Sequence, residues 1–257
     1  MSEKTVLITG ASSGIGFELA KIFAEEGFNL ILIARDKSRL EQAAKRLGRR
    51  DKSPITTLAK DLSSADSAEQ IYKQLKKSNL QVDILINNAG FATYGFFADI
   101  DWSKDLAQMQ LNMVTLTGLT KFLVKDMVKK KEGKILNIAS TAAFQPGPLM
   151  AVYYASKAYV LSFSLALASE LNGTGVTVTV LCPGPTRTSF ADTAGLANTR
   201  LFKWGVMEAK AVAWAGYKGL MAGKKVVIPG VKNKILVWLR RFVPYSLAAE
   251  IAKKLQS

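Results

Sequence analysis

An α/β fold with a doubly wound parallel sheet is what this sequence predicts, on three observations. Short apolar runs alternate with longer segments of helical periodicity along most of the chain. The short runs are near-continuously apolar rather than alternating, as in parallel strands covered on both faces. The first run leads straight into a glycine-rich turn and a helix, the repeating unit of open parallel sheets.

The elements follow in order. TVLITG (5–10) is strand-like and ends in Gly10. A helix over 14–27 sets Ile15, Leu19, Ile22 and Phe23 on one face. NLILIA (29–34) is the second strand, followed by a helix over 37–47 with Leu40, Ala43, Ala44 and Leu47. ITTLAK (55–60) is the third strand, and a helix over 65–77 spaces Ile71 and Leu75 four apart. VDILINNAG (82–90) is the fourth strand, followed by one long helix over roughly 103–130. GKILNIAS (133–140) makes the fifth strand, 152–171 a helix, and GVTVTVLCPG (175–184) the sixth strand. A helix over 207–223 and KKVVIPG (224–230) complete about seven strands with helices on both faces. No linker composition and no internal repeat interrupts this order, so residues 1–257 read as one domain.

Two segments break the rhythm. Residues 185–206 form a long connection with Phe190, Leu196, Leu201, Phe202 and Trp204 at no regular period, as expected of a substrate loop. The extension 231–257 contains KILVWLRRFVPY, apolar and helix-like but interrupted by Arg240–Arg241 and Pro244. It reads as a cover over a pocket, an oligomer contact, or a segment on a membrane surface with its arginines at head groups.

Composition narrows the function. With 49% hydrophobic and 21% charged residues, the chain is expected to be globular. One cysteine, Cys182, and no histidine leave no internal disulfide and no ordinary zinc site, so no metal is expected. The single cysteine suits a reducing compartment, and no secretory signal or run of about 18 apolar residues is seen, so a cytoplasmic location is expected. The net charge of +15 clusters at 125–134, at Arg240–Arg241 and at Lys253–Lys254. These clusters suit a solvated surface, an anionic substrate or carrier, or an acidic membrane. No nucleic-acid motif accompanies them, so no nucleic-acid partner is expected.

The turn TGASSGIG places Gly10, Gly14 and Gly16 between a strand and a helix. Glycines there let backbone N–H groups approach a pyrophosphate at a helix N-terminus, although an ordinary tight turn has the same composition. At the end of the second strand, Ala34 occupies the slot where an acidic residue would meet the ribose of NAD, and Arg35 follows. Arg35 suits the 2′-phosphate of NADP(H), and Ser12 offers a further phosphate contact. Asp36 leaves two options open, an ion pair with Arg35 or an approach to the ribose.

The segment VYYASK (152–157) offers two tyrosines to one lysine. Tyr153 and Tyr154 lie four and three residues before Lys157, and both spacings share a helix face. Spacing alone does not choose between them.

Taken in order, TGASSGIG (9–16), KDL (60–62), NNAG (87–90), Asn112, Ser140, YYASK (153–157) and PGPTRT (183–188) resemble the short-chain dehydrogenases/reductases along almost the whole chain. The resemblance implies a Rossmann-type fold, a nicotinamide cofactor and a Tyr-x-x-x-Lys pair that selects Tyr153. Ser140 lies thirteen residues before it, the family's separation. It implies a catalytic set of Asn112, Ser140, Tyr153 and Lys157, with Lys157 on the nicotinamide ribose and Asn112 holding a relay water. It implies cofactor contacts from Gly10, Ser12, Ser13, Gly14, Ile15 and Gly16 in the turn, Asp61 and Leu62 at the adenine, and Asn88, Ala89 and Gly90 along the ring. Pro183, Gly184, Thr186 and Thr188 would line the nicotinamide side.

A phenol with a pKa of about 10 needs help to exchange protons near neutrality. A cation within about 4–6 Å stabilises tyrosinate, so Lys157 is expected to lower the pKa of Tyr153. The expected activity is NADP(H)-dependent reduction of a hydrophobic carbonyl, a ketone or a 3-oxoacyl thioester whose phosphates would meet the basic clusters. Phe91, Tyr94, Phe144 and Leu149 are candidates for the pocket wall. The alternative is a redox sensor or regulatory module that binds NADP(H) without turnover. A homo-oligomer is expected.

Overall fold

The computed structural model describes residues 4–47, 53–190 and 206–256. Its main sheet contains β1 (Thr5–Thr9), β2 (Asn29–Ala34), β3 (Ile55–Ala59), β4 (Ile84–Asn87), β5 (Gly133–Ile138), β6 (Val176–Leu181) and, beyond a short ribbon of β7 (Thr186–Arg187) with β8 (Met207–Glu208), the edge strand β9 (Val226–Val227). The seven strands are all parallel, in the order β3-β2-β1-β4-β5-β6-β9. This is the doubly wound, Rossmann-type sheet that the apolar runs predict.

The continuous apolarity of the strands has a direct cause. Successive side chains point to opposite faces. Val6 and Ile8 of β1 pack with Leu30, Leu32, Ile84 and Ile86 under α1 (Gly14–Glu25), α2 (Lys37–Arg46) and, later in the chain, the helix Ala209–Met221. Leu7, Ile31, Ile33 and Leu85 face the other way, under α3 (Ser67–Lys77) and the C-terminal parts of the central helices. Each strand therefore needs an apolar residue at nearly every position.

The single helix expected over 103–130 is in fact three pieces: α4 (Trp102–Met109), a π-helical turn (Gln110–Thr115) and α5 (Leu116–Lys130). No proline or glycine marks the break. It coincides with tertiary hydrogen bonds made by Asn112, described below. The remaining helices are α6 (Ala151–Glu170), α7 (Ala209–Met221), α8 (Val231–Leu239) and α9 (Tyr245–Gln256), with a 3-10 turn at Arg240–Phe242 between the last two.

β1 leads to α1 on one face, whereas β4 leads to α5 on the other, so a crevice opens beyond the carboxyl ends of these neighbouring strands. The basic run 125–134 lies at the opposite edge, where α5 ends and β5 begins. There Lys130 pairs with Asp83 and Lys4 with Glu132, each at 2.5 Å. A strand length, roughly 17–20 Å, separates that run from the crevice.

The short edge strand depends on a missing side chain. A Cβ at Gly219 of α7 would lie 2.2 Å from Cγ2 of Val227 in β9. Gly219→Ala is expected to lower the urea midpoint with an unchanged m-value, a loss of about 1–3 kcal/mol. Adding Val227→Ala is expected to recover part of that loss.

Candidate active site at the carboxyl edge of the sheet

The crevice is held open by close contacts between two strand ends. Thr9 Oγ1 accepts hydrogen bonds from the backbone N–H groups of Asn88 and Ala89, both at 3.0 Å. The Asn88 side chain donates back to the carbonyls of Thr9 (3.0 Å) and Gly10 (3.1 Å). Gly10 has φ +65°, and a Cβ there would come within 2.8 Å of Asn88 Nδ2 and 2.9 Å of Ala89 Cα. A Cβ at Gly16 would lie 2.3 Å from the Gly10 carbonyl oxygen. Ser13 is the N-cap of α1, but its side chain does not cap, which leaves the first-turn N–H groups facing the crevice without a side-chain acceptor. These features form a cradle for a pyrophosphate at a helix N-terminus.

The cleft has a volume of about 500 Å³ and runs from Arg35, Lys60 and Asp61 to Tyr153, Lys157 and Phe190. Ser12, Ser13, Gly14, Ile15, Leu62, Asn88, Ala89, Gly90, Pro183, Gly184, Thr186 and Thr188 also line it, as does Ser140. Gly16 and Asn112 stand behind the wall and support it. At the Arg35 end the Asp36 carboxylate accepts from Arg39 N at 3.0 Å and caps α2. Asp61 accepts from Ser63 N and Oγ, and these bonds, with the Arg35 and Lys60 charges, hold its carboxyl below the ordinary range.

At the other end, α6 carries both tyrosines and Lys157. Tyr153 and Ser140 both line this end of the cleft, and the Ser140 hydroxyl donates to the Pro183 carbonyl at 3.4 Å. Ser140 N-caps the 3-10 turn Thr141–Phe144, accepting from Ala142 N at 3.1 Å. Lys157 Nζ lies 5.7 Å from the Tyr153 ring centroid and donates to the Ile138 carbonyl at 2.9 Å. Asn112 is buried in the π-turn: its Oδ1 accepts from Phe91 N (3.2 Å), and its Nδ2 donates to Phe91 O (3.0 Å) and Ser156 Oγ (3.2 Å).

In the protein alone, without the charge of a cofactor ring, the Tyr153 hydroxyl shifts the other way from the lowering expected of Lys157. Burial pushes it well above the ordinary phenol value, outweighing the lowering influence of the Ser140 hydroxyl. Burial also pulls the Lys157 ammonium down to about 8. Desolvation disfavours both charged forms, and it dominates here. Cys182 is fully buried next to this lysine, its thiol pushed up to about 12.

Tyr154 is held differently. Its hydroxyl accepts from Gln256 Nε2 at 2.5 Å, and Tyr94 Oη donates to the Gln256 carbonyl at 2.7 Å. Gly147 stacks on its ring, where a Cβ would lie 2.3 Å away. Tyr154 is thus braced by the last turn of α9, whereas Tyr153 lines the cleft with Ser140 and Lys157.

A family model described as short chain dehydrogenase matches residues 4–198. The chain belongs to the short-chain dehydrogenase family. It is similar to a short-chain dehydrogenase from Sphingobium yanoikuyae solved with NADPH, at 35% identity and a TM-score of 0.82 over 93% of this chain and 94% of that one. It is also similar to a bulky-bulky ketone specific alcohol dehydrogenase from Comamonas testosteroni, at 31% identity and a TM-score of 0.79 over 94% and 93%. A family member from Burkholderia phymatum solved with NAD has a TM-score of 0.83 over 93% of each chain, but at 23% identity it shares the fold alone.

As a short-chain dehydrogenase the chain is an oxidoreductase with a nicotinamide cofactor, and its residues fit that group: a glycine cradle, a free helix N-terminus and a continuous cleft. On the substrate side, Phe91, Met150, Tyr154 and Phe190 line the cleft, and the Phe190 ring centroid is 5.5 Å from that of Tyr153. Phe144 does not line it; it packs with Leu116 and Val160 and borders a second cavity. Leu149, at φ +66°, also lies outside the wall, and Tyr94 reaches the site only through Gln256. Leu196, Leu201, Phe202 and Trp204 lie outside the described residues. Met150, Gln145 and Gln256 escaped the sequence reading, since they follow no period or motif.

The neutralising environment of Lys157 has a pH signature. Its pKa is depressed to about 8 in the folded chain against an ordinary value of 10.5, so between these values the unfolded chain binds more protons. Stability contributed at this site therefore rises with pH across that window. The expected outcome is that Lys157→Met is more stable than the parent below pH 8, by a margin that narrows toward pH 10, read from urea midpoints at each pH.

Proposed function

We propose that this short-chain dehydrogenase reduces a hydrophobic ketone to an alcohol with NADPH, using Tyr153 as the general acid. The observation that carries the reading is that Ser140, Tyr153 and Lys157 line one cleft together, with Lys157 Nζ 5.7 Å from the Tyr153 ring and one turn along the same helix. A bound reduced nicotinamide supplies the hydride. Tyr153 gives its phenolic proton to the carbonyl oxygen, and Ser140 steadies that oxygen with a hydrogen bond as charge develops. In its protonated form Lys157 stabilises the tyrosinate left behind. Asn112 Oδ1 and Lys157 Nζ both approach the bare Cα of Gly90, and a water held between them would return the proton.

Three observations support the finer choices. Arg35 lines the adenosine end while Asp36 is engaged in its helix cap, which favours a 2′-phosphate over a bare ribose. The wall of Phe91, Met150, Tyr154 and Phe190 suits an apolar substrate. The basic run at 125–134 stands at the far edge of the sheet, which removes one argument for a thioester. A sensor without turnover has no need of a proton donor aimed into an apolar pocket.

Assays with a panel of lipophilic ketones test the reading. Tyr153→Phe is expected to lower kcat by roughly 10²–10⁴-fold with NADPH binding by fluorescence unchanged, while Tyr154→Phe keeps turnover. Arg35→Ala is expected to reduce the preference for NADPH over NADH by about tenfold or more, the loss of a charged hydrogen bond. Full turnover by Tyr153→Phe, or equal use of NADH by the parent, refutes the corresponding assignment.

A further inference from the structure

We infer that α8 and α9 form a docking face for an anionic lipid surface. The face begins with a helix that hides almost nothing. No residue of α8 is buried, and its inward contacts centre on Asn233, which packs on Gly184 and donates to Pro229 O at 2.8 Å. On its outer side Ile235, Leu236 and Trp238 stand 51–64% exposed, and Phe242 in the following turn is 70% exposed. α9 continues the pattern with two stripes. Ala248, Ala252 and Gln256 face inward, while Leu247, Ile251 and Leu255, also spaced four apart, face solvent. Trp238 and Phe242 pack edge to face with ring centroids 5.1 Å apart, so exposed apolar side chains here form a patch, and such a patch marks an interaction site.

The charge around it identifies the occupant. Residues 231–256 carry Lys232, Lys234, Arg240, Arg241, Lys253 and Lys254 against a single acid, Glu250. Apolar and aromatic side chains interleaved with cations are the composition of helices that lie in a lipid interface. A second copy of this chain placed face to face would bring two such cationic surfaces together, whereas anionic lipid complements them. No helix among the described residues is long and apolar enough to cross a membrane, so the chain would rest on the surface. The face also adjoins the active site, because Gln256 of α9 bonds Tyr154. A lipophilic substrate dissolved in the bilayer would thus lie next to the pocket.

Vesicle flotation of the full chain tests this. Binding is expected to vesicles of phosphatidylcholine with phosphatidylglycerol, and not to phosphatidylcholine alone. Lys232→Gln and Lys234→Gln are each expected to weaken partitioning by roughly fivefold, from about 1 kcal/mol per cation. The triple variant Ile235→Ser, Trp238→Ser and Ile251→Ser is expected to weaken it further with ketone turnover unchanged, since these side chains line neither cavity. Lys125→Gln with Lys129→Gln, at the far edge, is expected to leave it unaltered. No flotation, equal flotation on neutral vesicles, or an equal loss from the far-edge variant overturns the proposal. So does a triple variant that dissociates an oligomer in sedimentation while still binding vesicles. The readout is lipid binding, so it fails or holds independently of the proposed activity.

Discussion

Thr9 and Asn88 exchange hydrogen bonds across the point where β1 and β4 part, and the rest of the site depends on that exchange. The two strands send their chains to opposite faces of the sheet, and Thr9 Oγ1 adds a bond to the Ile86 carbonyl at 3.3 Å across the same gap. The Asn88 amide can reach the Gly10 carbonyl only because Gly10 and Gly16 carry no side chain. With that bridge in place, the N-terminus of α1 points into the crevice instead of over it. The same strand end leads on to Gly90, whose bare Cα lets Asn112 and Lys157 approach from behind. Cradle and chemical end are therefore anchored to one short stretch, Asn88–Gly90.

Burial is the second organising constraint. At the chemical end it acts on tyrosine and lysine in opposite directions, and in each case it favours the neutral form. A neutral phenol is the form that gives up a proton, the role proposed for Tyr153 above. Lys157 donates to a strand carbonyl, not to the phenol, so its influence on Tyr153 acts through space and across desolvated surroundings.

Much of this was legible in the residues. β2 was bounded to the residue, because NLILIA is flanked by a glycine turn and by Asp36, which does cap the next helix. The parallel, two-sided sheet follows from the continuous apolarity of the strands, and the glycine turn, Ser140 and the Tyr153–Lys157 pair meet on one cleft. What escaped was set by contacts distant in sequence. The π-turn at Gln110–Thr115 has no breaking residue; Asn112 bonds Phe91 and Ser156 there, and neither bond leaves a local signal. Gln256 reaches Tyr154 across 102 residues. β9 shrank to two residues because its apolar run meets only the end of β6. The influence of Lys157 was misjudged because spacing reports proximity but not desolvation.

Cys182 has a practical corollary. It is the chain's one thiol, fully buried at the end of β6, with its ionisation suppressed by the apolar surroundings. Maleimides and similar reagents attack exposed thiolates, so the unmodified chain offers them almost no target. A cysteine introduced at an outward position would then be the sole reactive handle. Spin labels or fluorophores can be placed one at a time along this fold, with the native sulfur left where it is.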